Sequence, residues 1–400
     1  MPDPTPITPG GIGARIKEFR TIRGFSLTEL GRRAHVSTSQ LSRIETGSRA
    51  LSSAVEAGIA RALGVTLSVL HGQPYIHMLQ QDRFDALLTP ISSALDSWDI
   101  PADDVPLRSL DALAADVDRI VDLRLSTEFV EIAEDLPALI VEAAALALTH
   151  ATPGARRERA HALQAELART AAIMAYRLGF IDLARLALSR MAMAAPHSGD
   201  PAQVAIERME RSAMTHAQSS RPDRGVALMR VALRDLDDDG SAGVRTVRGA
   251  LCLRAARFAL QQRDSSGAEN WLGQAQEVAD QVGDAHHYSL MSGPFSVALI
   301  QMDAENDRNN HAAALRLASQ MRLPEHCPPS LAAHFMIRTA RAQGWTAHHG
   351  DALKSLRKAR TTAPQLTRYH PHVHETVGTL LRAPAKPTEE LREFAMWSGV

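Results

Sequence analysis

Residues 37–43, Ser-Thr-Ser-Gln-Leu-Ser-Arg, bring together side chains that suit the reading of nucleic-acid bases. An amide such as that of Gln40 can form two hydrogen bonds with adenine, and a guanidinium such as that of Arg43 can bind guanine or a phosphate. Hydroxyl groups bind bases and phosphates alike. We therefore expect a polar surface that enters the major groove of DNA.

The residues before this stretch predict a short helix followed by a tight turn. Ser26 is placed to cap the helix, and Glu29, three residues later, completes a capping box. The turn falls at His35-Val36. The apolar side chains recur at helical spacing and are Leu27, Leu30 and Ala34.

The polar stretch itself predicts a second short helix. Ser37 is placed to cap it, and the helix should run to about Thr46, because Gly47 favours the left-handed conformation that ends helices. Leu41 and Ile44, three residues apart, form its apolar side. Since that side must face the protein, the polar side is left to face outward.

Residues 11–70 resemble the helix-turn-helix domain of the XRE family, which includes the Cro and lambda repressors. The matching residues are Ile16, Arg20, Gly24, 26–34, 37–47, Ile-Ala-Arg-Ala-Leu-Gly-Val at 59–65, and 67–70. The resemblance implies a five-helix, lambda-repressor-like domain in which 59–65 and 67–70 form the fourth and fifth helices. It covers only the first part of the chain.

The chain departs from the family pattern at two places. Many members have Gln where Leu27 stands, and that Gln reaches a phosphate or a neighbouring recognition side chain. Many also have Pro in the loop before the fourth helix, where this chain has residues 49–53. Ser52 or Ser53 can still cap that helix.

The resemblance also implies roles for single residues. Some recognition-helix side chains would face the groove, and others would hold the DNA backbone. The predicted DNA-binding residues are Ser37, Thr38, Ser39, Gln40, Ser42, Arg43 and Arg49. In the family, the positions of Arg20 and Glu45 commonly form a mostly buried ion pair between the first helix and the recognition helix, so these two are expected to stabilise the scaffold.

Positive charge is concentrated at the N-terminus. Residues 1–72 hold nine Lys and Arg against five Asp and Glu, whereas the whole chain has a net charge of −1. This is the distribution expected of a DNA-binding domain on a neutral protein. The further basic candidates are Arg15, Lys17, Arg23, Arg32 and Arg33, each of which could equally serve only to solubilise a helix face.

The rest of the composition narrows the functional class. The chain has two cysteines, Cys252 and Cys327, which support neither a disulfide framework nor a cysteine-rich metal site. His370, His372 and His374 alternate, but they flank a proline and are expected at the surface or at helix ends. Phosphate-binding loops, nucleophile elbows and zinc-protease helices are missing from the sequence. We expect no enzymatic activity, no cofactor and no metal.

Composition also predicts the domain boundaries. Four hundred residues, with 45% hydrophobic and only 4% aromatic side chains, suggest two or three helical domains. The predicted parts are a flexible N-terminus at 1–10, the helix-turn-helix domain at 11–72, a linker with a helix at 73–106, a helical-repeat domain at 107–383 and a C-terminal tail at 384–400. Neither a signal peptide nor a membrane-spanning apolar run is seen, which favours the cytoplasm.

Five segments of the C-terminal region repeat one pattern: a small residue, then a bulky apolar residue four positions later. They begin at Ala184, Gly225, Ala268, Ala313 and Ala352, which lie 41, 43, 45 and 39 residues apart. Most follow an apolar helix, so the unit is a pair of helices. Because one pair cannot bury its own apolar face, the pairs should stack into a solenoid. The pattern resembles tetratricopeptide repeats, seen best in residues 176–187.

The pairing of the two parts resembles a group of actinobacterial XRE-type regulators with a large helical-repeat region. The landmarks are Gly293-Pro-Phe-Ser-Val-Ala298, Ala340-Arg-Ala-Gln-Gly344, Ala363-Pro364 and His370-Pro-His-Val-His374. Asn is common in that group where Ser296 stands.

The sequence thus predicts an all-α transcriptional regulator that binds double-stranded DNA. The helical-repeat region would bind an effector, a peptide or a small molecule, or would form a homodimer. The alternative is a protein-interaction scaffold with a weak or vestigial DNA-binding head, which Leu27 in place of Gln favours.

Overall fold

The computed structural model describes residues 12–65, 67–71, 78–102, 104–219, 221–383 and 387–400. The predicted all-α class is confirmed, because nearly all regular structure in these residues is helical. The exception is one short hairpin whose two strands have two residues each. The flexible N-terminus predicted at 1–10 and the boundary predicted between residues 72 and 73 lie outside the described residues.

The helices follow one another along the chain, and the hairpin lies between α14 and α15. They are α1 (Ile12–Ile22), α2 (Leu27–Ala34), α3 (Thr38–Glu45), α4 (Ser53–Leu63), α5 (Leu67–His71), α6 (Met78–Asp96), α7 (Leu110–Ser126), α8 (Phe129–Thr149), α9 (Ala155–Leu178), α10 (Ile181–Ala194), α11 (Pro201–Ser219), α12 (Pro222–Asp235), α13 (Ala242–Gln261), α14 (Ser265–Val282), α15 (Pro294–Asp307), α16 (His311–Gln320), α17 (Pro329–Trp345), α18 (His349–Thr362), α19 (Pro364–Tyr369), α20 (Pro371–Arg382) and α21 (Glu389–Ser398). The strands are β1 (His286–His287) and β2 (Leu290–Met291), which pair antiparallel.

The chain divides into two compact units. The first comprises Met1–Gln73, Gln301–Met321 and Leu331–Val400. The second comprises Pro74–Ile300 and Arg322–Ser330. The first unit therefore joins helices α1 to α5, which we call the head, to the last helices of the chain. The predicted boundaries did not contain this grouping.

Helices α1 to α5 enclose a small core within the first unit. Ile16, Leu30 and Leu41 are fully buried there, and Ile44 and Ile59 pack beside them. These residues come from four different helices, so each helix buries one apolar face. The side chain of Leu27 is half-buried against the same core. The structure thus gives Leu27 a packing role in this core.

The C-terminal helices of the first unit form a second core. It is built from α17, α18, α19, α20 and α21, and Ile337, Leu356 and Val377 are fully buried in it. The stretch predicted as a tail contains α21, whose Leu391 and Phe394 belong to this core.

The second unit stacks pairs of helices. Contacts join α9 to α10, α11 to α12 and α13 to α14, as the repeat pattern predicts. Further contacts join α7 to α9, α9 to α11 and α11 to α13, so the first helices of successive pairs form one layer. The class of repeat remains a prediction.

The small residue of the repeat allows close helix packing. Ala184, Ala268 and Ala352 are essentially buried. At Gly225 on α12, a Cβ atom would lie only 2.6 Å from the ring of Phe258 on α13. In the fourth segment the register differs by one residue, because Ala314 is buried while Ala313 is only half-buried.

None of the described helices has the length and apolarity that crossing a bilayer requires.

Candidate DNA-binding surface

The turn between α2 and α3 is held by local hydrogen bonds. Ser26 Oγ accepts from the backbone N–H of Glu29 at 3.1 Å, and Ser37 Oγ accepts from that of Gln40 at 3.2 Å. His35 ends α2 with a φ of 55°, in the left-handed region. Both caps therefore lie where the sequence predicts them.

The capping box forms only in part. The Glu29 carboxylate binds Arg32 at 2.9 Å and Arg33 at 2.5 Å, so it is engaged away from the helix start. These hydrogen bonds lower the pKa of Glu29 to about 2. Two guanidinium groups one turn downstream attract the carboxylate more strongly than a single backbone N–H does.

Helix α3 presents its polar residues on one side. Leu41 and Ile44 are buried, whereas Thr38, Ser39 and Arg43 are exposed. The remaining predicted residues of this helix are Ser37, which is exposed, and Gln40 and Ser42, which are half-buried. The helix thus turns hydrogen-bonding groups outward at its N-terminal end, where a recognition helix contacts bases.

Arg43 is oriented by its own helix. Its Nη2 donates to Ser39 Oγ at 3.1 Å, and its Nε donates to the Ser39 carbonyl at 3.3 Å. The side chain therefore lies along the exposed face. A guanidinium held in this way needs less ordering when it meets a guanine or a phosphate.

Arg49 lies beside the C-terminal end of α3. Its backbone N–H donates to the Arg43 carbonyl at 3.1 Å, and that of Ser48 donates to the same oxygen at 2.8 Å. The loop after α3 is therefore folded back on the helix. The side chain of Arg49 is half-buried, and its Nε has no hydrogen-bond partner among the described residues.

An ion pair fixes α3 to α1. Arg20 Nε lies 2.7 Å from Glu45 Oε1, and Arg20 Nη2 lies 3.0 Å from Glu45 Oε2, which is a two-point contact. Arg20 Nη1 also donates to the Phe25 carbonyl at 3.0 Å. The side chains are only 14% and 5% exposed. The hydrogen bond with Glu45 raises the pKa of Arg20, so the guanidinium stays charged.

The close approach of α1 to α3 also depends on Gly13. A Cβ atom at this position would lie 2.2 Å from the carbonyl oxygen of Ile44. Gly13 was not among the residues predicted to be important. No local sequence pattern distinguishes a glycine needed for helix contact from one in a loop.

The other basic candidates of the head have different surroundings. Arg15 donates to the carbonyls of Leu70 and His71 at 3.1 and 2.9 Å, so it supports α5. The guanidinium of Arg33 lies 4.4 Å from the centre of the Phe25 ring. Lys17 and Arg23 are exposed.

The C-terminal helices of the first unit contact the loop that follows α3. Arg341 Nη2, on α17, donates to the Leu51 carbonyl at 2.7 Å. Ser53 Oγ donates to Asp307 Oδ2, at the end of α15, at 2.7 Å. Arg382 Nη2 lies 3.4 Å from the Gly47 carbonyl. Both ends of the loop are thus held by residues some 250 to 340 positions later in the chain.

Arg341 is the centre of a buried ionic cluster. Its side chain is 4% exposed and lies 3.3 Å from Glu375 and 3.8 Å from Asp307. Burial raises the pKa of Asp307 despite Arg341. The pKa of Glu375 is lowered to about 2, because Arg341 and His372 together outweigh the effect of burial. This cluster was not predicted from the sequence, although a charged residue within the apolar run of α17 is a signal that could have revealed it.

The alternating histidines have structural partners. His370 caps α20 through a hydrogen bond from the backbone N–H of His372 at 3.1 Å. His372 lies 3.1 Å from Glu375, and His374 contacts the Arg368 carbonyl at 2.8 Å. Among the described residues, no group of three metal-binding side chains was found.

Comparison with known protein families gives a match for the head. Residues 12–71 match the family model described as a helix-turn-helix domain. No curated protein matches the chain. The match covers α1 to α5 and includes every predicted DNA-binding residue.

Two solved structures resemble the chain over longer stretches. BtubC (BKLC) from P. vanneervenii has 15% identity and a TM-score of 0.38, covering 66% of this chain and 94% of its own. PlcR from Bacillus thuringiensis, in complex with the peptide PapR7 and DNA, has 13% identity and a TM-score of 0.30, covering 93% of this chain and 99% of its own. Both likenesses are too weak to assign a function to any residue of this chain.

Proposed function

We propose that this chain is a sequence-specific, DNA-binding transcriptional regulator of the XRE type that acts in the cytoplasm. The observation that carries the proposal is the outward polar face of α3, held against α1 by the Arg20–Glu45 ion pair, within a region that matches a helix-turn-helix domain. The same match argues against a catalytic role for the head. The basic charge of residues 1–72 supports phosphate binding.

The proposed contacts divide into two classes. Thr38, Ser39, Gln40 and Arg43 would face base edges, because they lie on or beside the exposed side of the helix. The others would bind the DNA backbone and are Ser37, Ser42 and Arg49. Specificity comes from base contacts, and most of the sequence-independent affinity comes from phosphate contacts.

The proposed function is tested by fluorescence anisotropy at stated salt concentrations. The probe is duplex DNA from upstream of the protein's own gene, with a scrambled duplex of equal length as the control. Retention of the first duplex at a salt concentration that releases the second supports the regulator. Failure to retain any duplex at low ionic strength would favour the alternative, a protein-interaction scaffold.

Replacing Gln40 by alanine should relax sequence preference. Loss of a two-point contact with adenine removes about 1–3 kcal/mol of discrimination at one base pair. We expect selection from a random DNA pool to return a site with one degenerate position. The control is Arg61→Ala, which removes an exposed basic side chain on α4 outside the predicted set. A selected site identical to that of the wild type would exclude Gln40 as a base-reading residue.

Replacing Arg49 by alanine should weaken binding to all sequences alike. A lost phosphate contact releases one counterion fewer, so the slope of log K against log salt should become shallower by about 1. Titration of specific and scrambled duplexes over a salt series measures both effects. An affinity loss confined to the specific duplex would contradict the assignment.

We also propose that the protein acts as a homodimer. A helix-turn-helix dimer places its two recognition helices about 34 Å apart or a multiple of that distance, to match successive turns of DNA. The helical region, some 300 residues, is far larger than DNA binding alone requires, and it offers surface for assembly or for an effector. Multi-angle light scattering should give the mass of two chains for the free protein, or of two chains plus one duplex when operator DNA is present. A monomer under both conditions would refute this part of the proposal.

A further inference from the structure

A cluster of arginines occupies the layer of first helices in the second unit. Its members are Arg124 on α7, Arg169 and Arg177 on α9, Arg254 on α13, and the carboxylates Glu166 on α9 and Glu210 on α11, which we call the arginine cluster. Arg177 and Arg254 both interact with the charge of Glu210, and they also interact with Arg124 and Arg169 respectively. Helices α7, α9, α11 and α13 contact one another in that order. The cluster therefore spans the first helices of four successive pairs instead of lying within one helix pair.

Two of the arginines are almost fully buried and are paired. Arg124 lies 2.5 Å from Glu166 and donates to Thr170 Oγ1 at 2.9 Å. Arg169 lies 3.3 Å from Glu210 and donates to the Tyr288 carbonyl at 2.8 Å. The two carboxylates of the cluster are thus already used by these two arginines.

The other two arginines lack a comparable partner. The Nη1 of Arg177 is buried and has no hydrogen-bond partner among the described residues. Arg254 comes no closer to Glu210 than 3.9 Å. Burial, and then repulsion from Arg124, lower the pKa of Arg177 to about 10. Burial also lowers the pKa of Arg254, although Glu210 opposes the effect.

The hairpin contributes a carbonyl where a carboxylate would balance the charge. Tyr288 and Ser289 form its turn with φ values of 52° and 57°, which residues other than glycine adopt at a cost. This turn brings the Tyr288 carbonyl to Arg169. A carbonyl dipole compensates a buried guanidinium only in part, so the described cluster keeps four cations against two anions.

We propose that the arginine cluster binds one oxyanion, a carboxylate or a phosphoryl group of an effector, at Arg177 and Arg254. Guanidinium groups bind both anions through paired hydrogen bonds, and the planar fork of arginine suits them better than the ammonium of lysine. Burying excess like charge is unfavourable unless a counter-charge joins it. The side chain of Arg254 is 28% exposed, which provides a route of entry from solvent.

The role of this anion as an effector rests on the proposed regulator function, whereas anion binding itself does not. The two are tested separately. Thermal unfolding of the full chain without DNA tests the site, and anisotropy with duplex DNA tests the regulator. A negative result in one measurement therefore does not change the conclusion drawn from the other.

Thermal unfolding is measured in sodium phosphate, in sodium succinate and in sodium chloride, all at equal ionic strength. When the concentration of the bound anion, phosphate or succinate, is about five times its dissociation constant, we expect the Tm of the wild type to rise by about 2–4 °C. A rise with phosphate alone assigns a phosphoryl group, and a rise with succinate alone assigns a carboxylate. Equal Tm values in the three salts would overturn the proposal.

Arg177→Gln provides the sharper test. Because it removes a buried cation without a carboxylate partner, the variant should be more stable than the wild type in chloride and should lose the gain from the anion. The matched control is Arg185→Gln, an arginine on α10 that is 58% exposed and lies outside the cluster, which should keep the full gain. If Arg177→Gln does not fold, Arg254→Gln gives the same readout. An undiminished gain in the cluster variant would refute the site.

Discussion

Arg341→Ala should lower the free energy of unfolding of the first unit by about 3–5 kcal/mol, the usual cost of removing one partner from a buried ionic group. The substitution leaves Asp307 and Glu375 without their guanidinium and leaves the Leu51 carbonyl without its donor. Urea unfolding of the full chain, followed by circular dichroism, measures the effect.

The control for this substitution is Arg308→Ala. Arg308 directly follows α15 and pairs with Glu305 at 2.9 Å, but its side chain is 44% exposed. Water and salt screen such a pair, so its loss should leave the unfolding free energy nearly unchanged. Equal effects of the two substitutions would show that Arg341 has no special role.

The effect of Arg341→Ala should depend on pH. In the wild type, the lowered pKa of Glu375 contributes stability that is present above the unfolded pKa and is lost as the pH falls towards 2. Burial raises the pKa values of Glu375 and Asp307, and Arg341 is one of the cations that lower them. In the variant fewer cations remain, chiefly His372 and His71 for Glu375, so the pKa values of the two carboxylates should rise. As the pH falls from about 7 to 5, the two carboxyl groups of the variant take up protons, which removes the cost of burying their unpaired negative charges. The stability difference from the wild type should therefore narrow over that range, and a constant difference would contradict the ionic explanation.

Arg20→Ala should destabilise the head by a similar amount, about 3–5 kcal/mol. Glu45, which is 5% exposed, would lose its two-point partner, and the Phe25 carbonyl would lose a donor. Because α3 is held to α1 by this pair, we expect the loss of duplex binding to parallel the unfolding of the head. Anisotropy and urea unfolding of the same samples test this link.

A double-mutant cycle separates the ion pair from the loss of two side chains. Arg20→Ala and Glu45→Ala should each be costly, and the double variant should cost less than their sum by about 0.5–3 kcal/mol. The control is Arg33→Ala, whose exposed pair with Glu29 should be dispensable for folding. Additive effects of the two substitutions would mean that the pair contributes no coupling energy.

Local features of the head could be predicted from the sequence. Ser26 and Ser37 cap their helices because a side-chain hydroxyl needs only a backbone N–H three residues away. Leu41 and Ile44 are buried because their spacing places them on one side of a helix. The helix pairs of the second unit follow from the same periodicity.

The sequence was a poorer guide where neighbouring residues compete for the same partner or the same buried position. Glu29 binds Arg32 and Arg33 instead of closing the capping box. The fourth repeat segment buries Ala314 where Ala313 was expected, since two adjacent alanines give the same local pattern. The short hairpin at 286–291 has no alternating apolar pattern that would distinguish it from a loop.

The sequence by itself determined an all-α chain with a helix-turn-helix head, its caps and the face of α3 that points outward. Only the tertiary structure decided that the last helices join the head in one unit, that Arg341 supports Leu51, and that four arginines share two carboxylates. The physical reason is range. Caps and helical periodicity act within a few residues, whereas Leu51 and Arg341 are 290 residues apart and meet only when the chain has folded.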